Sequence, residues 1–220
     1  MGLTNQDVDV LNEWGGVDWS LDKWCNLTAL YNIDIWAIGI EHIPPEIGKL
    51  INLTNLELAY NNISEIPPEI GNLTKLESLV LSSNDIEIIP TALASLTNLK
   101  RLYLHHCNIT KIPELIGNLT NLQTIQLHGN KIKEIPESMK KLSQLEYLQL
   151  SDNKISRLPL WLKELRSLKE CNLNRNLIPV TVQFKEVNIF ENKKCCVNGT
   201  PLNVFQSQQE LDQFLELCNG

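Results

Sequence analysis

The stretch from Leu53 to Ile63 reads LTNLELAYNNI, and the chain writes it again 23 residues later. Leu76, Leu79, Leu81, Asn84 and Ile86 stand where Leu53, Leu56, Leu58, Asn61 and Ile63 stood. Further copies run through Leu99, Leu102, Leu104, Cys107 and Ile109, through Leu122, Ile125, Leu127, Asn130 and Ile132, and through Leu145, Leu148, Leu150, Asn153 and Ile155. Leu168, Cys171, Leu173, Asn176 and Ile178 make the last copy, and Leu30, Ile33, Ile35, Ile38 and Ile40 a degenerate first one. Seven copies hold one 23-residue register without an insertion. A period of this length marks an array in which each unit buries its apolar face only against its neighbours.

Each unit divides in two. In LxxLxLxx the apolar residues two apart point inward and their neighbours point out, which is strand periodicity. The second half, IPPEIGNLTKL from Ile66, places Pro67 and Pro68 where the first turn of a short helix tolerates a missing N–H. Gly48, Gly71 and Gly117 follow a few residues later and are expected to end such turns in a left-handed conformation. An inward asparagine at 61, 84, 130, 153 and 176 must be hydrogen-bonded, and a ladder of side chain to backbone bonds along the core is expected. Cys107 and Ile38 interrupt that ladder, which predicts altered turns at both.

These residues spell LxxLxLxxNxI, and the pattern resembles the leucine-rich repeat family. With IPxxIGxLxxL at 23-residue spacing it is similar to the Ras-group or plant-like intracellular subclass. The resemblance covers about 150 residues of the chain. It implies an α/β solenoid, a right-handed horseshoe with a parallel concave β-sheet, short helices or turns on the convex face, and N- and C-terminal caps. It also implies a scaffold that binds other proteins.

The division expected is 1–27 as an N-terminal helical cap, 28–178 as seven repeats, and 179–220 as a C-terminal cap with a terminal helix. Thr4 suits an N-cap, and Val10, Leu11 and Trp14 share the face that would cover the first repeat. Trp14, Trp19, Trp24 and Trp36 cluster in this part of the chain and are read as rings buried by the cap rather than as a binding platform. Near the other end, Ser207-Gln208-Gln209-Glu210 has capping-box spacing, and Leu211, Phe214, Leu215 and Cys218 line one helical face.

Composition narrows the function. The chain of 220 residues is 43% hydrophobic but only 6% aromatic, which suits an aliphatic core spread along an array. Its net charge of -7 speaks against a nucleic acid partner, because phosphate binding needs a concentrated positive surface. No apolar segment approaches the roughly 18 residues of a spanning helix. The start of the chain has neither a basic n-region nor an apolar h-region. Cys107 and Cys171 take inward positions, and adjacent Cys195 and Cys196 are a poor disulfide pair. Reduced thiols and a cytoplasmic setting are expected, with delivery into a host cell without a Sec signal as one form of it. Seven N-x-S/T sequons would instead suit an extracellular recognition ectodomain, but several are the repeat's own NLT step.

By the family resemblance, the outward residues of LxxLxLxx line the concave face as columns. The seventh and eighth columns bring three of the four histidines together: His105, His106 and His128. Arg101, Tyr103 and Tyr147 are placed beside them, with Tyr60 further along the sheet. Tyr and Arg supply contact energy for little lost entropy, so these seven residues are the expected partner-binding surface. Neighbouring strands lie about 4.8 Å apart, so the histidines could alternatively share a metal ion, with Asp152 as a further ligand. No serine or cysteine nucleophile is visibly paired with a base. The expectation is a monomeric, non-catalytic adaptor or secreted effector without a cofactor, taking a protein partner on its concave sheet.

Overall fold

The structure is a computed structural model that describes residues 30–178 and 194–196. The expected helices at Thr4 and Ser207 lie outside the described residues. Eight three-residue strands form one parallel sheet in sequence order. They are β1 (Asn32–Asp34), β2 (Asn55–Glu57), β3 (Ser78–Val80), β4 (Arg101–Tyr103), β5 (Thr124–Gln126), β6 (Tyr147–Gln149), β7 (Glu170–Asn172) and β8 (Lys194–Cys196). From β1 to β7 each residue pairs with the one 23 positions later, as Leu56 does with Leu79 and Leu102 with Ile125. The result is an open leucine-rich repeat solenoid of the horseshoe type, with the sheet on its concave side.

The strands are short because only one inward residue separates two outward ones in each, a pattern the middle positions make plain. Leu56, Leu79, Leu102, Ile125 and Leu148 are all fully buried. With their flanking leucines and isoleucines they run as one continuous apolar cluster from Ile33 to Ile178. Burial of each such side chain contributes about 1.5–3 kcal/mol, and the contribution depends on the coils above and below. Stability is therefore shared between neighbours rather than held within a unit.

The convex side carries six five-residue 3-10 helices among the described residues, such as Pro68–Asn72 and Glu114–Asn118. Each begins after a proline in extended conformation, as Pro67 and Pro113 do. Each closes when the next leucine N–H donates three residues back, as Leu73 does to the Ile70 carbonyl at 3.1 Å. The glycines correct one expectation. Gly48, Gly71 and Gly117 lie inside these helices rather than beyond their ends, and none has the left-handed backbone. A Cβ on Gly48 would meet the Glu69 carbonyl oxygen at 2.6 Å, and one on Gly117 the Ser138 carbonyl oxygen at 2.5 Å. Glycine stands there because successive coils approach too closely for any side chain.

Left-handed backbone occurs instead at the eighth place of each repeat. Ala37, Tyr60, Ser83, His106, Asp152 and Arg175 have φ between 54° and 57°, and Gly129 has 68°. This turn carries the chain off the sheet, and the asparagine that follows pins it. Asn84 Nδ2 donates to the carbonyls of Leu58 at 2.9 Å and Leu81 at 3.0 Å, while its Oδ1 accepts from Ile63 N–H at 2.9 Å. Asn130, Asn153 and Asn176 repeat the arrangement, so the expected ladder is present. Of the two interruptions, only one alters the turn. At Ile38 the side chain is out in solvent, and Gly39 adds a second left-handed residue. At Cys107, contrary to expectation, the turn is kept: His106 has φ 54°, and the thiol sits where the asparagine would, 3.5 Å from the Leu81 carbonyl.

Beyond Ile178 the sheet continues. β8 pairs with β7 in parallel, Cys171 against Cys195, at a spacing of 24 rather than 23 residues. Cys107 and Cys171 are buried free thiols, and burial raises the pKa of Cys107 above its ordinary value, against backbone hydrogen bonds from Asn84, Ile86 and Ser83 that lower it.

Candidate functional site on the concave face

The parallel register decides which outward side chains meet. Ser78, Arg101, Thr124 and Tyr147 form one row, and Val80, Tyr103, Gln126 and Gln149 the next. Backbone bonds extend the pairing past the strands, with His106 N–H donating to the His128 carbonyl at 2.9 Å. Residues 105 and 128 are thereby held one strand apart. Their rings stack with centroids 4.3 Å apart and planes 9° from parallel. His106, turned by its left-handed backbone, approaches edge-on, 5.0 Å from His128 and 5.4 Å from His105.

The three rings differ in environment. His105 and His128 are half-buried, and His106 is exposed. Burial, followed by the charges of His128 and His106, lowers the pKa of His105 to about 4. Burial and His106 also lower that of His128, which Asp152 partly offsets. His105 Nδ1 is buried without a hydrogen-bond partner. One ligand nitrogen from each ring can be chosen so that all three lie within 4.8 Å of one another.

Around this centre Arg101 is half-buried and fixed by its Nε donating to Ser78 Oγ at 3.3 Å. Tyr103 is half-buried between the histidine rows and the sheet's next column. Tyr147 is 38% exposed, with Lys169 Nζ 5.9 Å from its ring centroid. Arg101, Tyr103, His105, His106, His128 and Tyr147 thus lie on the contiguous rows of β4, β5 and β6. Tyr60 stands apart on the β2 repeat, where it is 61% exposed.

Two residues gain a place that sequence reasoning withheld. Trp36, read as a ring buried by the cap, is 59% exposed at the seventh place of the first repeat, close in sequence order to exposed Tyr31. The signal was its place in the concave column. Gly129 occupies the eighth place beside His106, and a Cβ there would collide with His106 Nδ1 and Cε1. The signal for it was a glycine in a column otherwise filled by side chains, next to a histidine in the same column.

Strand order, coil spacing and a solvent-facing concave surface define a repeat-solenoid scaffold. Its family follows directly: the family model for the leucine-rich repeat region matches residues 12–108 and 87–186, and the chain belongs to the leucine-rich repeat family. The fold is one typical of protein–protein interaction. Solved structures agree. A Leptospira interrogans leucine-rich repeat protein is 28% identical with a TM-score of 0.68, over 87% of this chain and 54% of that one. A plant peptide hormone receptor, RGFR1 in complex with RGF2, is 30% identical with a TM-score of 0.68, over 78% of this chain and 28% of that one. The Arabidopsis receptor kinase HAESA, in complex with the peptide hormone IDA and the co-receptor SERK1, is 30% identical with a TM-score of 0.65. That match covers 71% of this chain and 28% of HAESA. The chain therefore spans about half of the Leptospira structure and under a third of the two receptors. No curated protein matches the chain in sequence. Among the described residues no helix is long and apolar enough to cross a membrane.

Proposed function

We propose that this chain is a non-catalytic recognition module that binds a protein partner on the concave sheet, centred on Arg101, Tyr103, His105, His106, His128 and Tyr147. The observation that carries this reading is the grouping of Arg101, Tyr103, Tyr147 and three histidines, with Thr124, Gln126 and Gln149 among them, on the outward side of the paired repeats of β4 to β6. Such side chains are enriched at interface hot spots because they present large contact areas on few rotatable bonds. Arg101 adds a donor already oriented by Ser78, so little further ordering is needed on binding. Tyr60, with exposed Trp36 nearer the first repeat, extends the surface toward the β1 end.

The role proposed is that of a monomeric adaptor or secreted effector working in the cytoplasm, its own or a host's. The buried free thiols of Cys107 and Cys171 are consistent with a reducing setting. The likeness to plant receptors in complex with peptide hormones supports a second form of partner, an extended peptide laid along the concave face.

The test is an affinity capture comparing the parent with an Arg101→Ala/Tyr103→Ala/Tyr147→Ala variant of matched melting temperature, which leaves the histidines in place. A protein or peptide retained by the parent and lost by the variant is the expected result. Equal retention by both would move recognition to the convex face or the lateral turns.

A further inference from the structure

We propose that His105, His106 and His128 form a binding site for one divalent transition-metal ion of the zinc class, three imidazoles on adjacent coils supplying its protein ligands. Nothing in the protein-binding reading requires an ion here, and the two stand independently. The case begins with placement. Two ligands come from the same turn of one repeat and the third from the next repeat, and the backbone bond from His106 to the His128 carbonyl locks their relative position. A sheet that fixes the backbone positions from which three imidazoles are presented limits the rearrangement that coordination requires.

The distances are near those of coordination. With zinc–nitrogen bonds of about 2.0–2.1 Å, tetrahedral ligands lie about 3.4 Å apart. The nitrogens here are within 4.8 Å of one another, so side-chain rotation must bring them closer by up to about 1.5 Å. Because the in-plane lone pairs of two near-parallel rings do not converge on one ion, closure needs one ring of the His105–His128 pair to turn out of the stack, and exposed His106 has room to follow it. Imidazole suits zinc, copper and nickel, and three protein ligands leave water to complete the coordination. Asp152 is not counted as a ligand, because the group whose ligand atoms lie within 4.8 Å of one another consists of the three histidines.

Two further observations make the cluster look like a built one. The first is Gly129. A side chain at that position would occupy the space of the His106 ring, so the glycine opens the place from which His106 faces His128. The second is His105, whose buried Nδ1 has no hydrogen-bond partner. Among the described residues only the hydroxyls of Ser82 and Ser138 share that state.

The test uses the full chain without a histidine tag, stripped with chelator and dialysed against zinc(II) or cobalt(II). One equivalent of zinc is expected, with the intense visible bands of four-coordinate cobalt(II). His106→Ala, at an exposed position, is expected to weaken zinc binding by at least about tenfold with little change in melting temperature. Gly129→Ala is expected to weaken it as well, although it removes no ligand. His42→Ala, at the chain's other histidine, serves as the control and should bind like the parent. Substoichiometric zinc, or a His106→Ala variant that binds as tightly as the parent, would overturn the proposal. So would an equal loss in His42→Ala. Because the readout needs no protein partner, neither result bears on the concave-surface reading.

Discussion

The turns at Ile38 and Cys107 have lost the same residue and responded in opposite ways. Both lack the asparagine that elsewhere pins the chain as it leaves the sheet. At Cys107 the backbone is unchanged, and the side chain is 7% exposed. Its thiol lies 3.5 Å from the Leu81 carbonyl and 3.8 Å from that of His105, a weak copy of the asparagine's bonds. At Ile38 the branched side chain has nothing to offer those carbonyls and is 51% exposed. The next repeat adds one bond to its usual set: besides the Ile40 N–H and the Ile35 carbonyl, which it serves as every rung does, Asn61 accepts at Oδ1 from Ile38 N–H at 3.2 Å. The ladder is thus shared between coils, and a missing rung is tolerated when the adjacent one remains.

That sharing is tested hardest where one adjacent rung is already weak, which gives the largest predicted effect. Asn130→Ala removes the donor to Leu104 and Leu127 carbonyls and the acceptor for Ile109 N–H. It does so beside Cys107, where the ladder is already weak. The expected loss is about 2–4 kcal/mol, read as a drop in urea midpoint. A loss below about 1 kcal/mol would mean that the backbone turn, not the side chain, holds these carbonyls in place.

A second test moves from the inner turn to the convex side. Gly117→Ala must displace the Ser138 backbone, which lies 2.5 Å from the added carbon. Overpacking of this kind costs about 1–3 kcal/mol. If alanine is tolerated at Gly117, the close approach of the 3-10 helices is not what selects glycine there.

The repeat, its register and the meeting of the histidines were legible because each rests on a fixed period. Once LxxLxLxx reads as a strand, a spacing of 23 places His105 beside His128 by arithmetic. What was not legible depends on distances between coils. Gly48, Gly71 and Gly117 look like helix terminators in one dimension, and only the approach of the next helix shows why they lack a side chain. Gly129 is uninformative until the His106 ring is seen above it. Trp36 was grouped with the other tryptophans by proximity in sequence, although its column assigns it to the concave face. β8 was hidden by a spacing of 24 where every earlier repeat keeps 23.

The smallest expected effects come from restoring the missing residue, and they bear most directly on the comparison. Cys107→Asn enters an unchanged turn, with Leu81 and His105 carbonyls already facing the position. It is expected to stabilise by about 0.5–1.5 kcal/mol, the net worth of one or two hydrogen bonds. Ile38→Asn is expected to change stability by less than about 0.5 kcal/mol, as for an ordinary surface substitution. There the backbone has departed from the common path: Gly39 has φ 80°, and Ile38 N–H donates to Asn61 Oδ1, a bond the other rungs do not make. To use its side chain, the introduced asparagine would have to displace Asn61 and rebuild two left-handed residues into one. Thermal melts of the two single variants decide the matter. Unequal gains in the predicted order would show that backbone geometry limits repair, whereas equal gains would show that the side chain alone dictates the turn and that Ile38 is the cause of the distortion around it.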